Sequence, residues 1–382
     1  MKILIDIDAL TPPLTGIGYY TAKLLKGLQE ADDVGELKLI RDGNIIEPEV
    51  LSITENMLQS ARVAARQLPF RPLLRWGYQK YRTMRFWQHS AGFKDFIYHA
   101  PNYSLLPFQG RSVVTIHDLS FIRHPEFHPP DRVNYWRKNI HRVVKRADHI
   151  ITDSEFQRGE IIDVFDVEPD NVSAIHLGVS GEFRAYSMDD CATVLAENGL
   201  QYKQFCLVVA TVEPRKNFER IVRAFESLPE ELKYAYPLVI VGDKGWLSDD
   251  IHQSIERLIE KKQAHRLGYV PDEALWRLYA SATVFVYPSL YEGFGLPVLE
   301  AMASGTAVLS SNSSSIPEVA GEACVLVDPY FVEQLTDEWR KLLSDETKQS
   351  HHVSMGLKRA TIFTWDKCVA ETINVYKKLD GG

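Results

Sequence analysis

Short apolar runs alternate with helical patterns along the whole chain. Residues 3–7 form the first run and lead through a Gly-containing turn into a helical stretch over about 19–28. Further runs occupy 37–40, 96–98, 113–116, 150–151 and 172–175. The second half repeats this rhythm at 207–209, 238–241, 284–287, 307–309 and 325–327. Continuous β-branched runs between amphipathic helices predict parallel strands buried on both faces. Two such series predict an α/β protein of two Rossmann-like doubly wound domains. Gly178, Gly181, the pair Asp189-Asp190 and Gly199 interrupt the rhythm, which divides the chain into 1–185, 186–365 and a terminal stretch 366–382. That last stretch reads as a helix. Its apolar Val369, Ile373, Val375 and Tyr376 would pack on the second domain or cross back to the first.

A length of 382 residues fits two or three domains at roughly 100–200 residues each. With 45% hydrophobic and 25% charged residues, the chain is neither disordered nor fibrous. Its net charge of −8 argues against general nucleic-acid binding. The charge is uneven. Residues 1–180 hold 22 basic and 22 acidic side chains, so the excess lies entirely in 181–382. Four scattered cysteines, with no CxxC pair, suggest neither a disulfide framework nor a zinc site, and point to a reducing cytoplasm. Asp6 comes too early for a signal peptide, and no apolar run approaches the roughly 20 residues that span a bilayer.

The most informative segment is Tyr291-Glu292-Gly293-Phe294-Gly295-Leu296-Pro297-Val298-Leu299-Glu300-Ala301-Met302-Ala303-Ser304-Gly305, directly after the run at 284–287. Gly293 and Gly295 permit close backbone approach to a ligand, and Pro297 suits the first turn of a helix. The helix would aim its free amides at the loop, an arrangement that binds phosphate. Glu292 and Glu300 would not themselves face phosphate; they suit ligand hydroxyls. Glu213-Pro214-Arg215-Lys216-Asn217 follows the run at 207–209 and sets two cations at the carboxyl edge of a parallel sheet, fit for a diphosphate.

Weaker signals lie in the first half. Thr15-Gly16-Ile17-Gly18 lacks the third glycine of a dinucleotide fingerprint, and the run at 37–40 ends in Arg41-Asp42. It is either a ligand-touching loop or a tight βα turn. His117-Asp118 ends the run at 113–116; it orients a substrate hydroxyl, stabilises charge, or is structural. Ser154 is a good N-cap. His124 and His128 have the spacing of helical zinc ligands, but Pro125, Pro129 and Pro130 discount a helix there. Gly242-Asp243-Lys244-Gly245 lacks the spacing of a Walker motif. Residues 56–94 contain no Asp or Glu but eight cations, including Arg71, Arg75, Arg82 and Arg85, interleaved with aromatic residues such as Trp76, Tyr81 and Trp87. Such a stretch is a surface for anionic lipid or a pair of packed helices with a basic outer face.

Together these segments resemble the retaining glycosyltransferases of family 4, of GT-B fold, in which two Rossmann-like domains face a central cleft. The resemblance covers nearly the whole chain and is most specific from Glu292 to Glu300. The order of motifs is similar to bacterial mannosyltransferases of O-antigen and other surface polysaccharides. Many relatives carry glycine where this chain has Thr211 or Val212. The resemblance implies a nucleotide-sugar donor on the second domain and an acceptor on the first. By position, Arg215 and Lys216 would hold the diphosphate, Glu300 the ribose, and Glu292 with the 293–296 amides (Gly293, Phe294, Gly295, Leu296) the donor sugar. Gly16 and Gly18 would let the first domain close on the phosphates, and His117 would touch the sugar. The implied reaction is metal-independent and needs no cofactor. It moves a hexose, mannose from GDP-mannose, to a lipid-linked oligosaccharide at the inner face of the membrane, with retention on one face. The rivals are a UDP-sugar-dependent glucosyltransferase, a nucleotide-sugar epimerase of the same fold, and a non-enzymatic glycan-binding module.

Overall fold

The computed structural model describes the chain apart from residues 12, 13, 15, 49–70, 247, 248 and 382, and apart from the side chains of 71–76, 79 and 249. The apolar runs form two sheets. The first holds β1 (Lys2–Asp6), β2 (Glu36–Arg41), β3 (Asn44–Ile46), β4 (Ile97–Ala100), β5 (Ser112–Thr115), β6 (His149–Thr152) and β7 (Val172–Ala174), in the order β3-β2-β1-β4-β5-β6-β7. All pairings are parallel except β2 with β3. The second holds β8 (Cys206–Val209), β9 (Leu238–Val241), β10 (Ala264–Gly268), β11 (Val284–Tyr287), β12 (Ala307–Ser311) and β13 (Val325–Val327), in the parallel order β10-β9-β8-β11-β12-β13. Strand order reverses between β1 and β4 and again between β8 and β11. Crevices for ligands open beyond the carboxyl ends of strands at such reversals.

Both faces of each sheet are covered. Ile3 and Ile5 point to one side and pack with Tyr20, Leu24 and Leu28 of the helix Gly16–Glu30. Leu4 points to the other side, with Ile40 and Tyr98. The first of these clusters continues through the terminal helix into the second sheet, reaching Phe285 and Val308. The helix Trp365–Asp380 therefore ties the domains together. It crosses back to the first domain, where Val369 lies against Gly27, Tyr376 meets His99 Nδ1 at 2.6 Å, and Lys377 pairs with Asp33 at 2.7 Å. No described helix is long and apolar enough to cross a membrane.

The basic stretch requires a correction. Residues 56–70 lie outside the described residues. Arg71 and Arg75 fall on the helix Arg71–Ser90, but their side chains are not described. Arg82, expected on an outward basic face, is buried. Its guanidinium pairs with Asp6 at the end of β1 and with Asp8 at 2.6 Å, and reaches Ser104 Oγ at 3.2 Å. Arg85 is half-buried and donates to Asn44 Oδ1 through Nε at 3.1 Å. These arginines fasten the helix to the sheet. Among its described side chains, the large apolar ones it exposes are Tyr78, Tyr81, Met84 and Trp87, the last 60% exposed.

Candidate active site

The second sheet builds the site from two loops at its strand reversal. After β8, Pro214–Lys216 makes a single 3-10 turn that ends at Asn217 with φ 61°. Asn tolerates this left-handed conformation, and its side chain supports it by donating to the carbonyls of Pro288 (2.9 Å) and Pro329 (2.8 Å). The Arg215 carbonyl accepts from Leu290 N at 2.9 Å and Ser289 Oγ at 3.1 Å, so the two loops are laced together.

Glu292 lies between the cations. Arg215 Nη1 donates to its Oε2 at 2.8 Å, and Lys216 Nζ to its Oε1 at 2.6 Å. Tyr287 OH (2.9 Å) and Ser289 Oγ donate to Oε1 as well. Burial alone would raise the Glu292 pKa, but Arg215 and Lys216 bring it down to about 2. Burial also works against the Arg215 charge, and Glu292, Glu213 and Asp118 more than reverse that effect. In this structure Glu292 thus acts as counter-ion and clamp for both cations. Two cations are thus held at a fixed spacing at the sheet's carboxyl edge.

The helix Leu296–Ala303 completes the site. Gly295 is its N-cap with φ 114°, a conformation that other residues rarely adopt, and Pro297 sits in the first turn. Three serines after β12 fix the loop. Ser314 Oγ accepts from Glu292 N at 2.9 Å, Ser315 Oγ donates to the carbonyls of Glu292 (2.9 Å) and Phe294 (2.8 Å), and Ser313 Oγ donates to Leu290 O at 2.9 Å. In the sequence these serines are marked only as a run of three, one residue past β12. Phe294 is buried against His176 and Phe363, so its ring braces the loop from behind. Leu296 likewise packs against the core. One turn along the helix, Glu300 accepts from Tyr279 OH at 2.9 Å; burial, then Asp272, raises its pKa to about 7.

The first sheet supplies the facing wall. His117 follows β5 and is buried. Its Nδ1 meets Asp153 Oδ2 at 2.8 Å and its Nε2 the Pro101 carbonyl at 3.2 Å. Burial opposes protonation, yet Asp153 raises the pKa overall. Both ring nitrogens are therefore engaged, and it is the His117 carbonyl that touches the opposite wall: a methyl built on Gly293 would overlap that oxygen. Gly16 opens its helix, with no atom of the described residues within 4 Å of where a side chain would stand. Gly18 is buried; a methyl there would come within 3.0 Å of Ala9 O and Leu14 Cδ2. Thr15 lies outside the described residues. Tyr19, beside these glycines, donates across the cleft to Asp272 Oδ1 at 2.8 Å.

Further contacts bind the walls. Ser154 Oγ caps its helix by accepting from Gln157 N at 3.2 Å and donates to Gly293 O at 2.8 Å. Glu318, from the second domain, caps the same helix through Glu155 N (2.8 Å) and Phe156 N (3.1 Å), and meets His176 Nε2. Tyr291 OH accepts from Gln157 Nε2 at 2.8 Å and donates to Glu160. The sequence does not mark Glu318 or Glu160, because the partners they meet across the cleft lie more than 100 residues away. His124 and His128 bond to Glu126 and Ser120 respectively. Among the described residues no cluster of His, Cys, Asp or Glu is placed to hold a metal ion.

Two Rossmann-like sheets that face each other across a cleft are the architecture of the GT-B fold. The chain belongs to glycosyltransferase family 4: the model of that family matches residues 15–183, and that of glycosyl transferases group 1 matches 196–358. It is 38% identical over 99% of its length to the whole of the O-antigen chain mannosyltransferase B of Escherichia coli. The O-antigen chain mannosyltransferase RfbU of Salmonella typhimurium is 25% identical, with 86% of this chain and 87% of that protein covered. The sucrose-phosphate synthase of Thermosynechococcus elongatus shares the fold, at TM-score 0.74 and 19% identity over 99% of each chain.

Proposed function

We propose that the protein is a mannosyltransferase of O-antigen biosynthesis that takes mannose from GDP-mannose and adds it to a lipid-linked glycan. The observation that carries the reading is the Arg215–Glu292–Lys216 cluster set against the amino end of the helix Leu296–Ala303. As the glycosidic bond breaks, charge grows on the leaving diphosphate. Cations and helix amides already in place stabilise that charge more than the ground state. Similarity to mannosyltransferases over the full chain supports the sugar. Because side-chain cations and amides supply the positive charge, transfer needs no divalent ion. Two measurements test the reading: thermal shift with GDP, UDP and ADP, and transfer from GDP-mannose in excess EDTA. GDP should stabilise the protein most, and transfer should survive chelation. A preference for UDP, or activity restored only by Mg²⁺, would overturn it.

Glu300 suits the ribose, whose hydroxyls need an ionised acceptor. With its pKa raised to about 7, the carboxyl must lose its proton before it binds well, so GDP affinity should rise with pH. The affinity at pH 6 should be about tenfold below its alkaline plateau if only the carboxylate binds. Calorimetric titration at pH 6, 7 and 8 should show this slope in the wild type and, in Glu300→Gln, only the shallower dependence that comes from titration of the GDP phosphate itself.

The stripe of Tyr81, Met84 and Trp87 supports peripheral attachment to an anionic membrane on the acceptor side. Aromatic residues and methionine bury apolar surface in the interfacial region, and the neighbouring Lys80 adds positive charge. Trp87→Ser with Met84→Ser should weaken binding to phosphatidylglycerol vesicles by roughly tenfold or more, while the melting temperature stays unchanged. Equal vesicle binding by the variant would remove this role from the helix.

A further inference from the structure

Asp118 stands at the cleft between His117, whose carbonyl touches Gly293, and Ser120. Its backbone is anchored: Asp118 N donates to Tyr103 OH at 3.0 Å. One carboxylate oxygen is anchored as well, since Oδ1 accepts from Ser120 N at 2.9 Å and Ser120 Oγ at 2.7 Å. No described residue hydrogen-bonds to Oδ2, and the side chain keeps partial exposure. A methyl built on Gly293 would lie 3.2 Å from Asp118 Cβ, so the carboxylate is beside the phosphate-facing loop. Its field reaches Arg215, whose charge it helps to hold.

That placement is costly for a donor site. Arg215 and Lys216 are already balanced by Glu213 and Glu292 through direct ion pairs. Asp118 adds a third negative charge next to the position of an anionic diphosphate. The partner that suits a fixed carboxylate there is neutral and rich in hydroxyls. The surroundings fit a sugar ring. His128 bonds to Ser120 Oγ through Nε2 at 2.8 Å, and its buried Nδ1 has no hydrogen-bond partner among the described residues. Trp246, from the second domain, lies 6.1 Å from the His128 ring and donates to Phe127 O at 2.7 Å. Arg132 lies over the Trp246 ring, 5.4 Å from its centroid, so this wall offers polar groups rather than a bare aromatic face.

We propose that Asp118 positions the acceptor: its Oδ2 accepts a hydrogen bond from an acceptor-sugar hydroxyl adjacent to the one that is glycosylated. The assignment rests on the reading of the cleft as a mannosyltransferase site. The reacting hydroxyl keeps its own proton free. Its oxygen forms the new bond to the anomeric carbon as the bond from that carbon to the diphosphate breaks, and its proton passes to the departing phosphate. Asp118 supplies orientation, with the neighbouring hydroxyl as its handle.

The test uses Asp118→Asn, which retains an oxygen for Ser120 and hence the turn. The substrates are GDP-mannose and an alkyl α-mannoside, together with a set of acceptors lacking one hydroxyl each. The variant should raise the acceptor KM by roughly 10- to 100-fold, the span of a hydrogen bond to a charged group. It should also divert donor turnover from transfer towards release of free mannose. Melting temperature should match wild type, and GDP affinity should not fall. One deoxy acceptor should cost the wild type the same factor and cost the variant nothing further. An unchanged acceptor KM would overturn the assignment. So would a fall in kcat alone, which would make Asp118 a base, or an equal fall in GDP affinity, which would make it part of the donor cradle. Loss of GDP binding by the wild type would instead strike the donor reading.

Discussion

Replacing Arg215 with alanine should lower kcat by about 10²–10³, the loss seen when one preorganised charge-stabilising donor is removed from a transition state. The side chain reaches three groups: Glu292 Oε2 and the Tyr291 carbonyl through Nη1, and Glu213 through Nε and Nη2. Its removal leaves two buried carboxylates with Lys216 as their main cation. Breaking a buried ion pair in this way costs about 3–5 kcal/mol of stability, so the variant should also melt earlier. GDP affinity should fall with kcat, because the diphosphate loses a partner in both ground and transition states. Arg215→Lys should recover part of the charge but not the planar fork, and should fall between the two. Glu292→Ala should also weaken GDP, since without its clamp the two cations repel each other. Steady-state kinetics at saturating donor, with calorimetry of GDP binding, separates these effects. Near-normal turnover in Arg215→Ala would place the diphosphate elsewhere.

Gly293→Ala should disable transfer by a different route. The added methyl would overlap the His117 carbonyl and come close to Asp118, and both obstacles belong to the opposite domain. Backbone on backbone has no flexible end to yield, so the walls must separate. Overpacking of this kind costs about 1–3 kcal/mol. Spent on the closed arrangement, that is roughly 5- to 150-fold in its population and thus in kcat/KM. The separation would also weaken the Ser154–Gly293 bond and the Glu318 cap on the facing helix. The GDP cradle lies within the second domain, so GDP affinity should stay within a few-fold of wild type. Small-angle scattering should show a more extended particle. Wild-type kinetics in Gly293→Ala would mean that catalysis occurs with the domains apart.

The amino-acid sequence by itself determined the architecture and the local backbone of the loops that follow β8 and β11. Strands β9, β11 and β13 match their apolar runs residue for residue, because a parallel strand covered on both faces must be apolar throughout. The helix start at Leu296–Ala303 was equally legible, since a left-handed glycine and a first-turn proline are local backbone requirements. Two of the four edge strands escaped notice. Strand β10 carries His265 and Arg266, and β3 is a three-residue antiparallel addition; an edge strand needs little apolar burial. Charge partners were decided only by the tertiary structure. The pattern around Arg82 marks a basic surface, yet the side chain is buried against Asp6, 76 residues earlier. Glu292 reads as a free ligand group and serves as a clamp, because Arg215 and Lys216 arrive from a neighbouring strand end. Glu318 caps a helix 163 residues before it. Periodicity and turn chemistry are set by a residue and its near neighbours, so they can be read along the chain. Which carboxylate meets which cation depends on how two sheets and their domains pack, and that is fixed by contacts between residues far apart in sequence.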